Sequence, residues 1–146
     1  MGISWNAYYN SDKFGFYGED LMKRCMAFRS LLDAGVRVVA GSDFYPGPFA
    51  PLMGIQGMVT RKGWDGKTWG ANQRISVAEA IRVNTLNGAY ASKEETLKGS
   101  ITPGKLADFV LLTEDPHTID AEKIKDITIC ADSRWREGRV RSIARP

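Results

Sequence analysis

The sequence predicts an α/β part followed by a small β part, and three observations carry that expectation. Leu21, Cys25, Phe28 and Leu32 recur at helical spacing as far as Gly35. A β-branched run, Val36-Arg37-Val38-Val39-Ala40-Gly41, follows at once. Past a composition shift at residues 98–105, the chain breaks into short apolar runs separated by turn residues. A helix that feeds an almost continuously apolar strand through one glycine is the grammar of α/β folds with buried parallel strands. A chain of 146 residues, 43% hydrophobic and 25% charged, suits one globular domain or two small ones. The division expected is 1–98 and 99–146.

Taken in order, residues 1–19 lack clear period, although Ile3-Ser4-Trp5 suits the stub of a strand. Residues 20–34 read as one amphipathic helix, with Met22, Met26 and Leu31 widening its apolar stripe and Gly35 stopping it. The strand over 36–41 ends in Gly41-Ser42-Asp43, so its first acidic residue stands at the C-terminal end, where α/β barrels carry their chemistry. Residues 44–74 are rich in glycine and proline and too long for a plain connector. Within them Pro51 to Arg61 suits a short helix with proline near its start, weakened by Gly54 and Gly57. Ser76-Val77-Ala78-Glu79 is a capping-box signature opening a helix, and a second helical stretch is expected over Tyr90 to Leu97. After the turn Thr102-Pro103-Gly104, strands are expected at Ala107–Thr113, Ile127–Ala131 and Arg139–Ile143, with Glu137-Gly138 as the turn before the last.

Composition excludes several classes of function. A net charge of +3 is too small a footprint for nucleic acid, and the alternating arginines Arg134, Arg136, Arg139 and Arg141 read as one solvated strand face. The N-terminus lacks the pattern of a secretory signal, and no run approaches the roughly 18 apolar residues of a membrane span, so the expected location is cytoplasmic. Cys25 and Cys130 form no CxxC pair and read as buried thiols. The single histidine, His117, removes every mechanism that needs two imidazoles from this chain. It lies in Thr113-Glu114-Asp115-Pro116-His117-Thr118, which reads as a surface turn, and a solvated histidine is the expectation there.

One arrangement of motifs resembles a known family. Val38-Val39-Ala40-Gly41-Ser42-Asp43 with Pro46 and Pro48, then Glu79-Ala80-Ile81, Thr85-Leu86-Asn87-Gly88-Ala89-Tyr90-Ala91 and Gly99-Ser100-Ile101-Thr102-Pro103-Gly104-Lys105-Leu106-Ala107-Asp108-Phe109-Val110-Leu111-Leu112, is similar to the C-terminal part of the amidohydrolase superfamily. It resembles most the YtcJ-like branch, the amidohydrolase 3 family, which includes N-substituted formamide deformylases. The resemblance implies the last one or two βα units of a (β/α)8 TIM barrel, with the C-terminal part of a small β-sandwich. It also implies a divalent metal, zinc first among the candidates, whose bound water attacks a C–N bond of an amide or formamide. In that scheme Asp43 takes the proton from the water, touches the metal, and carries the proton to the leaving group. Phe44, Tyr45 and Trp64, with Phe49 and Trp69 beside them, are the candidate lining of a substrate pocket.

The departures are equally informative. The family's His-x-His pair and its further histidines from the middle strands are missing from this sequence, and 146 residues fall short of the roughly 250 of a full barrel. By length and content the resemblance implies a start near the seventh strand, without the metal site needed for activity alone. Unpartnered barrel and sandwich strands leave ladder groups and apolar faces open. The chain is therefore expected to pair with a missing N-terminal barrel segment or to self-associate. The alternative is a free-standing, non-catalytic module derived from an amidohydrolase, which works through oligomerisation or partner binding.

Overall fold

A computed structural model of the chain describes residues 2–3, 16–42, 44, 49–63, 65–136 and 139–144. Strand β1 (Gly2–Ile3) pairs in parallel with β2 (Ala40–Gly41), Gly2 opposite Ala40 and Ile3 opposite Gly41. The parallel hand agrees with the apolar run, but only its last two residues join the ladder. Ser4 and Trp5 lie outside the described residues.

The single helix expected over 20–34 is two short ones, α1 (Glu19–Met22) and α2 (Phe28–Asp33), separated by a turn in which Met26 adopts φ 49°. The reason lies elsewhere in the chain. The guanidinium of Arg61 donates to the carbonyls of Met22, Cys25 and Met26, which a continuous helix would need for its own amides. Met22 and Phe28 of the apolar stripe are buried, Leu31 is exposed, and the Gly35 amide closes α2 on the Leu32 carbonyl as expected.

Helix α3 (Pro51–Thr60) begins on proline and stops at Arg61, whose φ is 55°. It buries Ile55, Gln56 and Met58 and packs against a 3-10 turn at Ala121–Asp126, where the Gln56 side-chain oxygen accepts from the Lys125 amide at 3.0 Å. A shorter 3-10 turn, Ala71–Gln73, precedes α4 (Val77–Asn84). The capping box is formed: Ser76 Oγ accepts from the Glu79 amide at 3.2 Å, and the Glu79 carboxylate accepts from the Ser76 amide at 2.8 Å.

At Thr85 the chain breaks and restarts as α5 (Leu86–Ala91). Of the helix expected over Tyr90 to Leu97 only Tyr90 and Ala91 are helical, as the end of α5, because Lys93 adopts φ 60° and the Glu94 amide turns back to the Ala89 carbonyl at 2.8 Å. Strands β3 (Phe109–Leu112), β4 (Ile129–Arg136) and β5 (Arg139–Ala144) make an antiparallel sheet in that order. Glu137 and Gly138 lie outside the described residues. The core gathers Phe28, Val38, Ile55, Met58, Ile75, Ala80 and Val83 with Ile124 and Ile127 from the far end of the chain.

Glu79 also receives the Arg29 guanidinium at 2.8 and 3.0 Å. The Ser76 amide first, and Arg29 second, hold its carboxyl below the usual glutamate range. A depressed folded pKa stabilises above the unfolded value, and that contribution is lost as pH falls through the folded value. With the two side chains 32% and 34% exposed, the pair is discounted for solvent screening. Glu79→Gln is expected to lower stability by about 1 kcal/mol at neutral pH. In urea titrations its difference from wild type is expected to shrink as pH falls below the ordinary glutamate range.

Candidate active site

The candidate site lies where β2 leaves the core. Val38 is buried among the core residues, and its carbonyl accepts from Asn87 Nδ2 at 2.7 Å. The chain then runs through Ala40 and Gly41 in the ladder to Ser42, whose hydroxyl oxygen accepts from the Phe44 amide at 3.3 Å. That contact is a local turn made by a serine over its own backbone. Phe44 is 64% exposed and meets Phe49 edge to face, with ring centroids 5.4 Å apart. Of the other residues named from sequence, Asp43, Tyr45 and Trp64 lie outside the described residues.

Past α3, residues 61–63 pair with 67–69 as a small hairpin. Lys62 bridges Thr68, the Gly63 amide donates to the Lys67 carbonyl, and the Trp69 amide donates to the Arg61 carbonyl. Trp69 itself is engaged within the hairpin, its indole donating to Asp65 at 3.0 Å. The base is pinned from three sides. Arg61 Nε donates to the Trp69 carbonyl at 3.0 Å, the Gly70 amide donates to both oxygens of Glu19 at 3.1 Å, and Lys62 pairs with Glu122 at 2.8 Å.

Arg61 and Asn87 are the residues that sequence reasoning missed. Arg61 reads from sequence as the last residue of a helix, and Asn87 as one letter of a motif. Both are buried polar side chains whose partners are main-chain carbonyls far away in the chain. The one available signal was a lone arginine at the end of an otherwise apolar helix.

His117 stands on the turn that the sequence predicts, exposed, with its amide donating to Asp115 at 2.9 Å and its Nδ1 2.9 Å from the same oxygen. The amide, and then the ring, hold the Asp115 carboxyl below its usual range. Cys25 and Cys130 are free thiols, half-buried where full burial was expected. Among the described residues no three His, Cys, Asp or Glu side chains converge as metal ligands. Among them, too, no helix is long and apolar enough to cross a membrane.

Comparison with known proteins places these features. The model of the amidohydrolase family matches residues 9–141. A Bacillus subtilis (strain 168) protein named as an amidohydrolase, YtcJ, is 34% identical over 110 residues, which are 73% of this chain and 21% of the relative. The N-substituted formamide deformylase of Arthrobacter pascens is 33% identical over 101 residues, covering 69% of this chain and 19% of that enzyme. An imidazolonepropionase of Bdellovibrio bacteriovorus is 31% identical over 93 residues, 62% of this chain and 20% of the relative. The chain thus spans about a fifth of the length of these curated relatives. No solved structure matches. A match that takes in the β2 strand, the α4–α5 pair and the sheet in one ordered span has one reading: the chain belongs to the amidohydrolase family.

Proposed function

We propose that the chain is the C-terminal portion of an amidohydrolase that cleaves C–N bonds of the amide or formamide type, with Asp43 as its proton-carrying carboxylate. The observation that supports this reading most is the position of Asp43, two residues beyond a parallel strand, inside the span matched by the family. The C-terminal end of a parallel strand is where α/β barrels present reacting groups. In this reading β2 is the last strand of a (β/α)8 barrel, and Phe44, Tyr45 and Trp64 line the approach to it.

The described residues do not fit a metal by themselves. The histidines that the family's metal requires are assigned to a segment outside this chain, with zinc the first candidate. Asp43's own part is proton carriage. Its carboxylate accepts a proton from the attacking water and returns it to the nitrogen that leaves.

The test is to assemble the chain with a barrel segment that supplies the His-x-His pair and to assay N-formyl and N-acyl amides. Hydrolysis is expected in the assembled protein, and Asp43→Asn is expected to lower turnover about a thousandfold. Wild-type turnover by the Asn variant would overturn the assignment.

A second reading, a non-catalytic module that associates with itself or a partner, is favoured by one observation. In strand β3, at the end of the described sheet, Phe109, Val110 and Leu111 are all exposed. In that case Asp43→Asn leaves assembly, measured by light scattering, unchanged, and no added barrel segment yields hydrolysis.

A further inference from the structure

We infer that Asn87 is the positioning residue for the strand that carries Asp43, with its side-chain amide standing where a neighbouring strand would otherwise be. Among the described residues, the ladder contacts of the 36–41 run are confined to Ala40 and Gly41. Val38 lies just before them, 4% exposed, and a carbonyl at that depth without a donor is a costly vacancy in the hydrogen bonding. Asn87, 5% exposed and 49 residues further along, fills it at 2.7 Å. Chemistry fixes which atom does so, since a carbonyl only accepts and the amide nitrogen is the group that donates.

A second contact from the same helix grips the adjacent residue. Tyr90 lies three positions after Asn87, on the same side of α5, and the Arg37 guanidinium stacks over its ring at 3.7 Å. Helix α5 therefore holds Arg37 through its side chain and Val38 through its backbone. The helix is itself wedged: Gly99, with φ +90°, passes so close that a Cβ there would lie 2.7 Å from Ala89 Cβ and 3.0 Å from Leu86 Cα.

The consequence reaches the site through strand geometry. Val38 stands two residues before Ala40, the first residue of the ladder, and Asp43 follows Gly41 by two positions in the sequence. A slip of one residue would send alternate side chains to opposite faces. Fixing the Val38 carbonyl fixes that register. Asn87 thus acts through the strand and touches no reacting atom. Its importance for turnover rests on the reading of Asp43 given above, whereas the tie itself does not.

The experiment is amide hydrogen exchange by NMR on this chain, with no activity required. In the wild-type protein, one Asn87 side-chain amide proton is expected to be slow to exchange and shifted from the free-amide position. Asn87→Leu keeps the branched shape, with a somewhat larger volume, and removes the donor. It is expected to lower protection across residues 38–42 about tenfold relative to the amides of Met58, Ala80 and Val83. An Asn87 amide in free exchange overturns the inference even if the variant does not fold, and so does a folded Leu variant with wild-type protection at 38–42. If the tie is present while Asp43→Asn retains turnover, the functional reading fails and the positioning inference stands.

Discussion

Arg61→Ala is expected to remove about 4 kcal/mol of unfolding free energy, read as a large fall in the urea midpoint by circular dichroism. Arg61 is fully buried, and no described carboxylate is hydrogen-bonded to it. Burial pushes its guanidinium below the usual arginine range, with the charge of Glu19 among the opposing influences. Taken alone, that desolvation argues for the variant. Four carbonyls argue against it: Trp69 at 3.0 Å, Cys25 at 3.1 Å, Met22 at 3.3 Å and Met26 at 3.4 Å all take their hydrogen bonds from this one side chain. Stripping the donor leaves those oxygens facing a void, at about 1 kcal/mol or more each, which outweighs the relief of desolvation. Arg61→Met separates the two effects, since it refills most of the volume without a donor. A Met variant as stable as wild type would show that the carbonyls do not need the guanidinium.

Gly70→Ala strikes the same knot from the other side and is expected to cost about 3 kcal/mol. Its backbone has φ +58°, a region that charges alanine about 1 kcal/mol. Steric crowding costs more, because a Cβ there would lie 2.2 Å from the Met22 carbonyl oxygen and 2.8 Å from Arg61 Nη2. Relieving that clash means moving α1 or the guanidinium, and with either goes the clasp of the Gly70 amide on Glu19. The two losses are not independent. In the double variant the contact with Arg61 Nη2 is gone and the Met22 carbonyl is no longer held by the guanidinium, so the combined loss is expected to fall short of the sum by about 1 kcal/mol. Simple additivity would mean that the methyl group is accommodated elsewhere.

The parts of this fold that were legible in the sequence are those whose chemistry closes within a few residues. Ser76 and Glu79 announce a capping box because both partners lie in one turn, Pro51 opens a helix through its own ring, and Gly35 stops one through its own φ of 72°. The breaks at 23–26 and after Ala91 left no such mark. Arg61 takes carbonyls away from a helix whose apolar spacing is intact, and Lys93 turns left-handed where the letter lysine signals no stop. The site divides in the same way. Asp43 stood out through the order of the motifs around it, whereas the task of Asn87 depends on a main-chain oxygen 49 residues back.

Those long polar ties also set the timetable on which the chain acquires its structure. Met22 to Arg61 spans 39 residues, Ser30 to Gln73 43, Val38 to Asn87 49, Arg29 to Glu79 50 and Glu19 to Gly70 51. A fold rich in such distant contacts has high contact order, and loop-closure entropy delays its first productive encounter. Once one tie has closed, the others span far shorter effective loops and follow together. On the ribosome, the partners of residues 19–38 are made in turn, Arg61 first and Asn87 last. This half of the molecule therefore has its full set of polar ties only once Asn87 has been made.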